Sequence, residues 1–232
     1  MDRRGFVRLC AGSTAVLAAG IRVAWAGDFT DFPKVRLTDA QGAPLKASRL
    51  SSGEAYVFHY HYRSLPCFLI RLGNSVSAPQ ELTADWGSYT WPGGAGREKK
   101  IVSYVAACSH QLAYPDKAST VIYYSAGPTE LIGKSGMIVC CAHASVFDPA
   151  AGGKRLHGEA TEPLTPVRLE HDPADDGLYA TGLAGTQLVE RFFKVHRRRL
   201  IEEYGAGVYS EPVENAAAAI PLSKHTESLN SC

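Results

Sequence analysis

The sequence predicts an all-β fold, an antiparallel sandwich or small barrels, followed by one late helix. Three observations predict it. Between residues 34 and 181 the chain alternates short runs rich in Val, Ile, Tyr and Phe with clusters of Gly, Pro, Asp and Ser. The 232 residues include 22 Gly and 13 Pro, so turns are frequent and long helices cannot dominate. Only one stretch, 186–204, carries apolar residues at helical spacing. With 45% hydrophobic and 20% charged residues, the composition excludes a largely disordered chain and a multi-span membrane protein. The net charge of +1 leaves no strong global field for nucleic acid.

Taken in order, the chain begins with residues 1–26, which resemble a twin-arginine export signal. Arg3-Arg4 is followed by Phe6, then an uncharged run from 9 to 21, then Ala24-Trp25-Ala26, small residues spaced for a signal peptidase. Thirteen residues are short for a membrane span, which needs about 20. The alternative is an uncleaved anchor, the one route by which the sequence allows membrane association. Cleavage after Ala26 leaves 20 basic and 22 acidic residues. Candidate strands follow at 34–37, 54–62, 67–72, 101–107, 121–124, 137–140, 167–170 and 178–181. The turns between them are marked by Pro92-Gly93-Gly94, Gly127-Pro128, Asp148-Pro149, Gly152-Gly153 and Asp176-Gly177.

In the helix at 186–204, Thr186 is a candidate cap and Gly205 a stop. Leu188, Val189, Phe192, Phe193, Leu200 and Ile201 share roughly one face. Arg191, Lys194, Arg197, Arg198 and Arg199 lie on the other, either as a solvated face or as a docking surface. Beyond Gly205 the chain turns Ala- and Ser-rich and reads as a loose tail or a strap.

Chemistry is concentrated in two short boxes, Cys108-Ser109-His110 and Cys140-Cys141-Ala142-His143. Two thiolates and two imidazoles could hold one tetrahedral zinc. Zinc motifs, however, usually pair Cys with Cys and His with His in separate segments, whereas each box here offers one of each. This mixed pattern resembles the Rieske [2Fe–2S] family, in which the two Cys hold one iron and the two His the other. The run His143-Ala144-Ser145-Val146-Phe147-Asp148, followed by Gly152-Gly153, is similar to the family's second box and its sequel. The resemblance implies a Rieske fold, with a sandwich base and a small cluster-binding subdomain over about 105–160. It implies one cluster per chain, ligated by Cys108, His110, Cys140 and His143, with the Ser145 hydroxyl donating to a cluster sulfur. Phe147 stands where high-potential members keep a tyrosine. One donor of two implies an intermediate potential within roughly −150 to +300 mV.

The departures from the family pattern also carry information. Ala113 and Ala142 occupy the two positions that form a disulfide between the cluster loops in cytochrome bc complexes. Cys141, next to that slot, reads as a buried free thiol. The 29 residues between His110 and Cys140 form a long insert, expected to add a hairpin beside the cluster. His59 and His61 sit two apart on a strand and offer a possible second metal site. No stretch large enough for a mononuclear-iron oxygenase domain follows His143.

Among exported Rieske proteins the chain looks most like the small subunit of arsenite oxidase and related molybdenum enzymes. Gly158-Glu159-Ala160-Thr161-Glu162-Pro163-Leu164 is similar to a Gly-x-Ala-Thr-x-x-Leu segment of that type. The alternative is the Rieske subunit of a quinol-oxidising bc complex, which usually keeps the disulfide and a Gly-Pro-rich loop. The expected function is single-electron transfer in the periplasm between a molybdopterin-type large subunit and a cytochrome or similar carrier. No separate catalytic residues are expected. The expected organisation is a signal at 1–26, a Rieske domain at 27–190, and a helix and tail at 191–232.

Overall fold

A computed structural model describes residues 29–232, so the expected export signal and Cys10 lie outside the described residues. In chain order the strands are β1 (Phe29–Thr38), β2 (Ala55–His59), β3 (Pro66–Arg71), β4 (Gln80–Ala84), β5 (Gly87–Trp91) and β6 (Ile101–Val105). They continue as β7 (Ser119–Thr120), β8 (Ile122–Ser125), β9 (Met137–Cys140), β10 (Ser145–Asp148), β11 (Lys154–His157), β12 (Val167–Asp172) and β13 (Gly177–Ala184). Helix α1 (Gln187–Tyr204) is followed by β14 (Ala216–Ala218), β15 (Ile220–Pro221), the four-residue α2 (Leu222–His225) and β16 (Ser228–Leu229). The fold is mostly β, as predicted, and every expected strand has a counterpart.

Three four-stranded sheets carry the architecture, in the orders β12-β13-β1-β14, β15-β2-β3-β6 and β11-β10-β9-β8. The second is buried on both faces. Along β3, Cys67 and Leu69 point into a core shared with Val35, Leu37, Leu178 and Ala180 of the first sheet. The alternate residues Phe68 and Ile70 point into a core shared with Ile138, Val146 and Phe147 of the third. Period-two alternation therefore serves two apolar faces at once, which is why 67–70 reads as an unbroken apolar run. The middle sheet joins the base to the sheet that carries the second Cys-His box through these two cores.

Strands β4 and β5 escape sequence reading because Glu81, Thr83, Ser88 and Thr90 alternate with their buried residues. The expected hairpin in the insert is present, with β8 pairing antiparallel to β9 through Ile122↔Cys140.

Helix α1 starts at Gln187, so it straddles the expected boundary at 190. Thr186 precedes it without a side-chain capping bond, and the Gly205 N–H closes it on the Ile201 carbonyl at 2.9 Å. Leu188, Val189, Phe192 and Leu200 are buried against the base. The segment after Gly205 is a strap. β14 runs parallel to β1, β15 antiparallel to β2, and β16 parallel to β7. Among the described residues no helix is long and apolar enough to cross a membrane.

Candidate metal centre

The first box leaves the end of β6. Ala106 and Ala107 are fully buried, so the chain dives inward before Cys108. The Cys108 N–H then donates to the Ala113 carbonyl at 2.9 Å and the Leu112 N–H to the Cys108 carbonyl at 2.9 Å. This closes a tight loop in which Leu112 takes a left-handed φ of 60°. The second box is the turn between β9 and β10, where Cys140 and Ser145 are cross-strand partners. Ala144 takes φ 52° there to reverse the chain.

A third segment, 158–162, locks onto both loops. The Ala160 N–H donates to Ser145 Oγ at 3.1 Å, the Glu159 N–H to the His143 carbonyl at 3.4 Å, and Ser109 Oγ to the Glu162 carbonyl at 2.7 Å. Gly158 is required at φ 87°, since a Cβ there would lie 2.2 Å from the Ala144 carbonyl oxygen. This is the physical content of the Gly-x-Ala-Thr run noted in the sequence.

The two loops bring the four expected ligands together. The His110 and His143 rings stand 4.6 Å apart, edge to face. The Cys108 and Cys140 side chains are hydrogen-bonded to each other, and both are buried and free of disulfides. That contact, with further donation from the His110 and Gln111 N–H groups and the Ser145 hydroxyl, lowers the Cys108 thiol. The same contact, together with burial, raises Cys140. A positive centre between them would lower both thiols. Ser145, fully buried, accepts from Ala160 and keeps its own proton for a sulfur.

His110 Nδ1 is buried and has no hydrogen-bond partner, an orphan of the kind a metal ligand leaves when the metal is absent. Its other nitrogen, Nε2, faces Glu159 Oε2 at 3.7 Å, on a carboxylate 65% exposed. Sequence reading missed Glu159, because nothing in the pattern 158–164 brings it to His110. The ligand atoms of His110, His143 and Glu159 lie within 4.8 Å of one another, and neither cysteine sulfur joins that group. A single tetrahedral ion would need two sulfurs at about 2.3 Å and two nitrogens at about 2.0–2.1 Å, hence all four donors within roughly 4 Å of each other. A sulfur pair set apart from an imidazole pair suits a two-iron group, one iron at each end, and the residues present fit it.

Two expectations are corrected. Cys141 is not a free thiol. It is disulfide-bonded to Cys232, 91 residues on, with Cα atoms 5.6 Å apart. The pairing arises because the strap returns the end of the chain to the second loop, and no local spacing reveals it. His59 and His61 do not converge on one site either. His59 meets the Tyr204 hydroxyl at 3.3 Å, whereas His61 stacks on Phe32 at 3.9 Å between ring centres.

No protein-family model matches the chain. It is 28% identical over 188 residues to the iodate reductase subunit IdrB of Denitromonas iodatirespirans, covering 80% of this chain and 82% of that protein. It is 28% identical over 138 residues to the subunit of the same name from Pseudomonas sp. strain SCT, covering 60% and 57%. Among solved structures, the soluble domain of Rieske protein II from Sulfolobus acidocaldarius overlaps 66% of this chain and 78% of that one, with TM-score 0.43 and 21% identity. The quaternary ammonium Rieske monooxygenase CntA overlaps 78% of this chain and 38% of that one, with TM-score 0.34 and 14% identity.

Proposed function

We propose that the chain is a Rieske-type protein and that it serves as the electron-transfer subunit of a two-component periplasmic enzyme, a reading supported by its similarity to reductase subunits. In this reading Cys108 and Cys140 hold one iron of a single [2Fe–2S] cluster, His110 and His143 hold the other, and Ser145 donates to a sulfur. The observation that carries it is the orphaned His110 Nδ1 facing inward beside a hydrogen-bonded cysteine pair. When bound, the cluster supplies a one-electron couple.

This chain's residues supply the rest. Burial of both cysteines keeps water from the sulfur end. The two histidines are the partly exposed members of the set, so their ring edges are where electrons would pass between a bound cluster and a partner. Glu159 stands 3.7 Å from the outer nitrogen of His110, where its charge favours a protonated outer nitrogen. No general base is needed, because the substrate chemistry belongs to the partner. We propose that partner to be a molybdopterin-type large subunit acting on an inorganic oxyanion such as iodate or arsenite, with a cytochrome or similar carrier at the other end. Relatedness to subunits named for iodate reductase supports the oxyanion class. We further propose residues 1–26 as the export signal. The Cys141–Cys232 disulfide agrees with an oxidising compartment.

The test is metal and sulfide analysis of the purified chain with electron paramagnetic resonance. Iron and acid-labile sulfide near two each per chain, with a rhombic signal on reduction, are expected. Cys108→Ser should abolish both. One zinc per chain without sulfide would sink the reading.

A further inference from the structure

We infer that residues 187–232 are a brace that ties each of the two ligand loops to the base by its own contacts, in place of the direct bridge that Ala113 and Ala142 cannot form. The inference rests on the reading of residues 108–112 and 140–145 as cluster loops. It is carried by contacts that converge on those loops from one continuous segment.

Helix α1 follows the first loop step by step. Arg191 Nη2 donates to the His110 carbonyl at 3.2 Å. His196 donates through Nε2 to the Leu112 carbonyl at 3.0 Å. Arg199 pairs with Asp116, whose side chain is only 9% exposed and accepts the Ala118 and Ser119 N–H groups at 2.8 Å. Tyr114 is clamped between these contacts, with the Phe192 and His196 rings 5.1 and 4.8 Å away and the Arg199 guanidinium over its ring. Leu112 in particular needs such support. Its left-handed backbone is disfavoured for a branched side chain and persists only where its surroundings over-determine it.

The far end of the same segment secures the second loop. From α2 the chain runs back along the insert. The Glu227 N–H donates to the Lys117 carbonyl at 2.8 Å and the Asn230 N–H to the Thr120 carbonyl at 2.9 Å, flanking the β16–β7 pair. Cys232 then closes on Cys141, the immediate neighbour of the ligand Cys140. The Cys141 N–H is itself held by the Val121 carbonyl at 2.8 Å. Between the two ends, β14 and β15 fix the strap to the base sheets. Each loop is therefore tied to the base as well, in addition to the contacts that join the two loops directly and through residues 158–162. Arg191 and His196 are positioning residues for the first loop, and Cys232 is the anchor of the second.

The test compares full-length wild type with Cys232→Ser, Arg191→Met and Arg191→Lys. Peptide mapping without reductant should find Cys141 joined to Cys232 in wild type. Amide hydrogen exchange should then separate the two arms. Cys232→Ser should raise exchange in 141–146 and leave 108–116 near wild type. Arg191→Met should do the reverse, by roughly tenfold at 110–113, as loss of one charge-assisted hydrogen bond implies. Arg191→Lys should recover part of the protection. In chain holding iron and sulfide, both disruptive variants should lose the visible cluster absorption several-fold faster. Arg191→Met should also lower the reduction potential, which a merely structural helix contact would not do. Free thiols at both positions, or unchanged exchange and cluster lifetime in both variants, would overturn the brace. Absence of iron and sulfide from wild type would overturn the cluster reading instead, and the exchange arms would still test the brace on the metal-free chain.

Discussion

Ser145 shows how much one hydroxyl can decide. It is fully buried at the start of β10, accepts from the Ala160 N–H, and lies near enough to Cys108 to help lower its thiol. A donor to a ligand sulfur stabilises the more negative reduced state and raises the potential. Ser145→Ala should therefore lower the reduction potential. A hydrogen bond to a charged group is worth about 1.5–3 kcal/mol, and only the part gained on reduction moves the potential, so the shift is bounded at roughly 60–130 mV for one electron. Voltammetry on the purified variant with its iron content matched to wild type checks this. A potential that stays put or rises would show that the hydroxyl points away from the sulfurs.

At the scale of elements, α1 is the part whose role changes most once the fold is known. As sequence it is an amphipathic helix with a basic face. In the fold its buried stripe docks it on the base, and Arg191 and Arg199 from its polar side reach the first loop. Lys194 and Arg197 have no ion-pair partner among the described residues. Phe192, fully buried, is the wedge between the base and Tyr114. Phe192→Ala should cost about 3–5 kcal/mol of stability, as large-to-small changes at buried aromatics do. Urea unfolding followed by circular dichroism measures it. A loss below about 1 kcal/mol would mean that the helix packs only loosely on the base.

For the molecule as a whole, four histidines couple stability to pH. His59 on β2 is lowered to about 4, first by burial and then by His225 and Lys117, while it meets the Tyr204 hydroxyl of α1. His61, His196 and His225 are lowered by burial as well. A histidine whose folded pKa lies below its unfolded value of about 6.5 binds its proton more readily when unfolded. Its contribution is therefore complete above pH 6.5 and is lost as pH falls from there toward 4. Because these residues join the strap and helix to the base, acid should loosen the C-terminal segment. The urea midpoint should drop between pH 6.5 and 4 and stay nearly level from 7 to 8. His59→Gln with His225→Gln should flatten the drop, of which His59 accounts for up to about 3 kcal/mol. Equal slopes in variant and wild type would place the acid sensitivity elsewhere.

The sequence by itself determined the all-β class and the helix at its place in the chain, and it singled out Cys108, His110, Cys140, His143 and Ser145 as one candidate site. Each of these is written locally. Strands show as short β-branched runs, the helix shows as a periodic stripe, and a mixed Cys-x-His and Cys-x-x-His pair has few chemical uses. What the tertiary structure decided is everything that joins distant parts of the chain. Strands β4 and β5 were hidden by polar residues on their exposed faces. Glu159 reaches His110 because Gly158 lets the third segment approach Ala144 closely. Cys141 finds Cys232 because pairing with β1, β2 and β7 carries the strap back across the base. A tail rich in Ala and Ser has no periodicity to announce such a path. It is fixed by backbone hydrogen bonds at sheet edges, and those form with whatever residues the fold brings alongside.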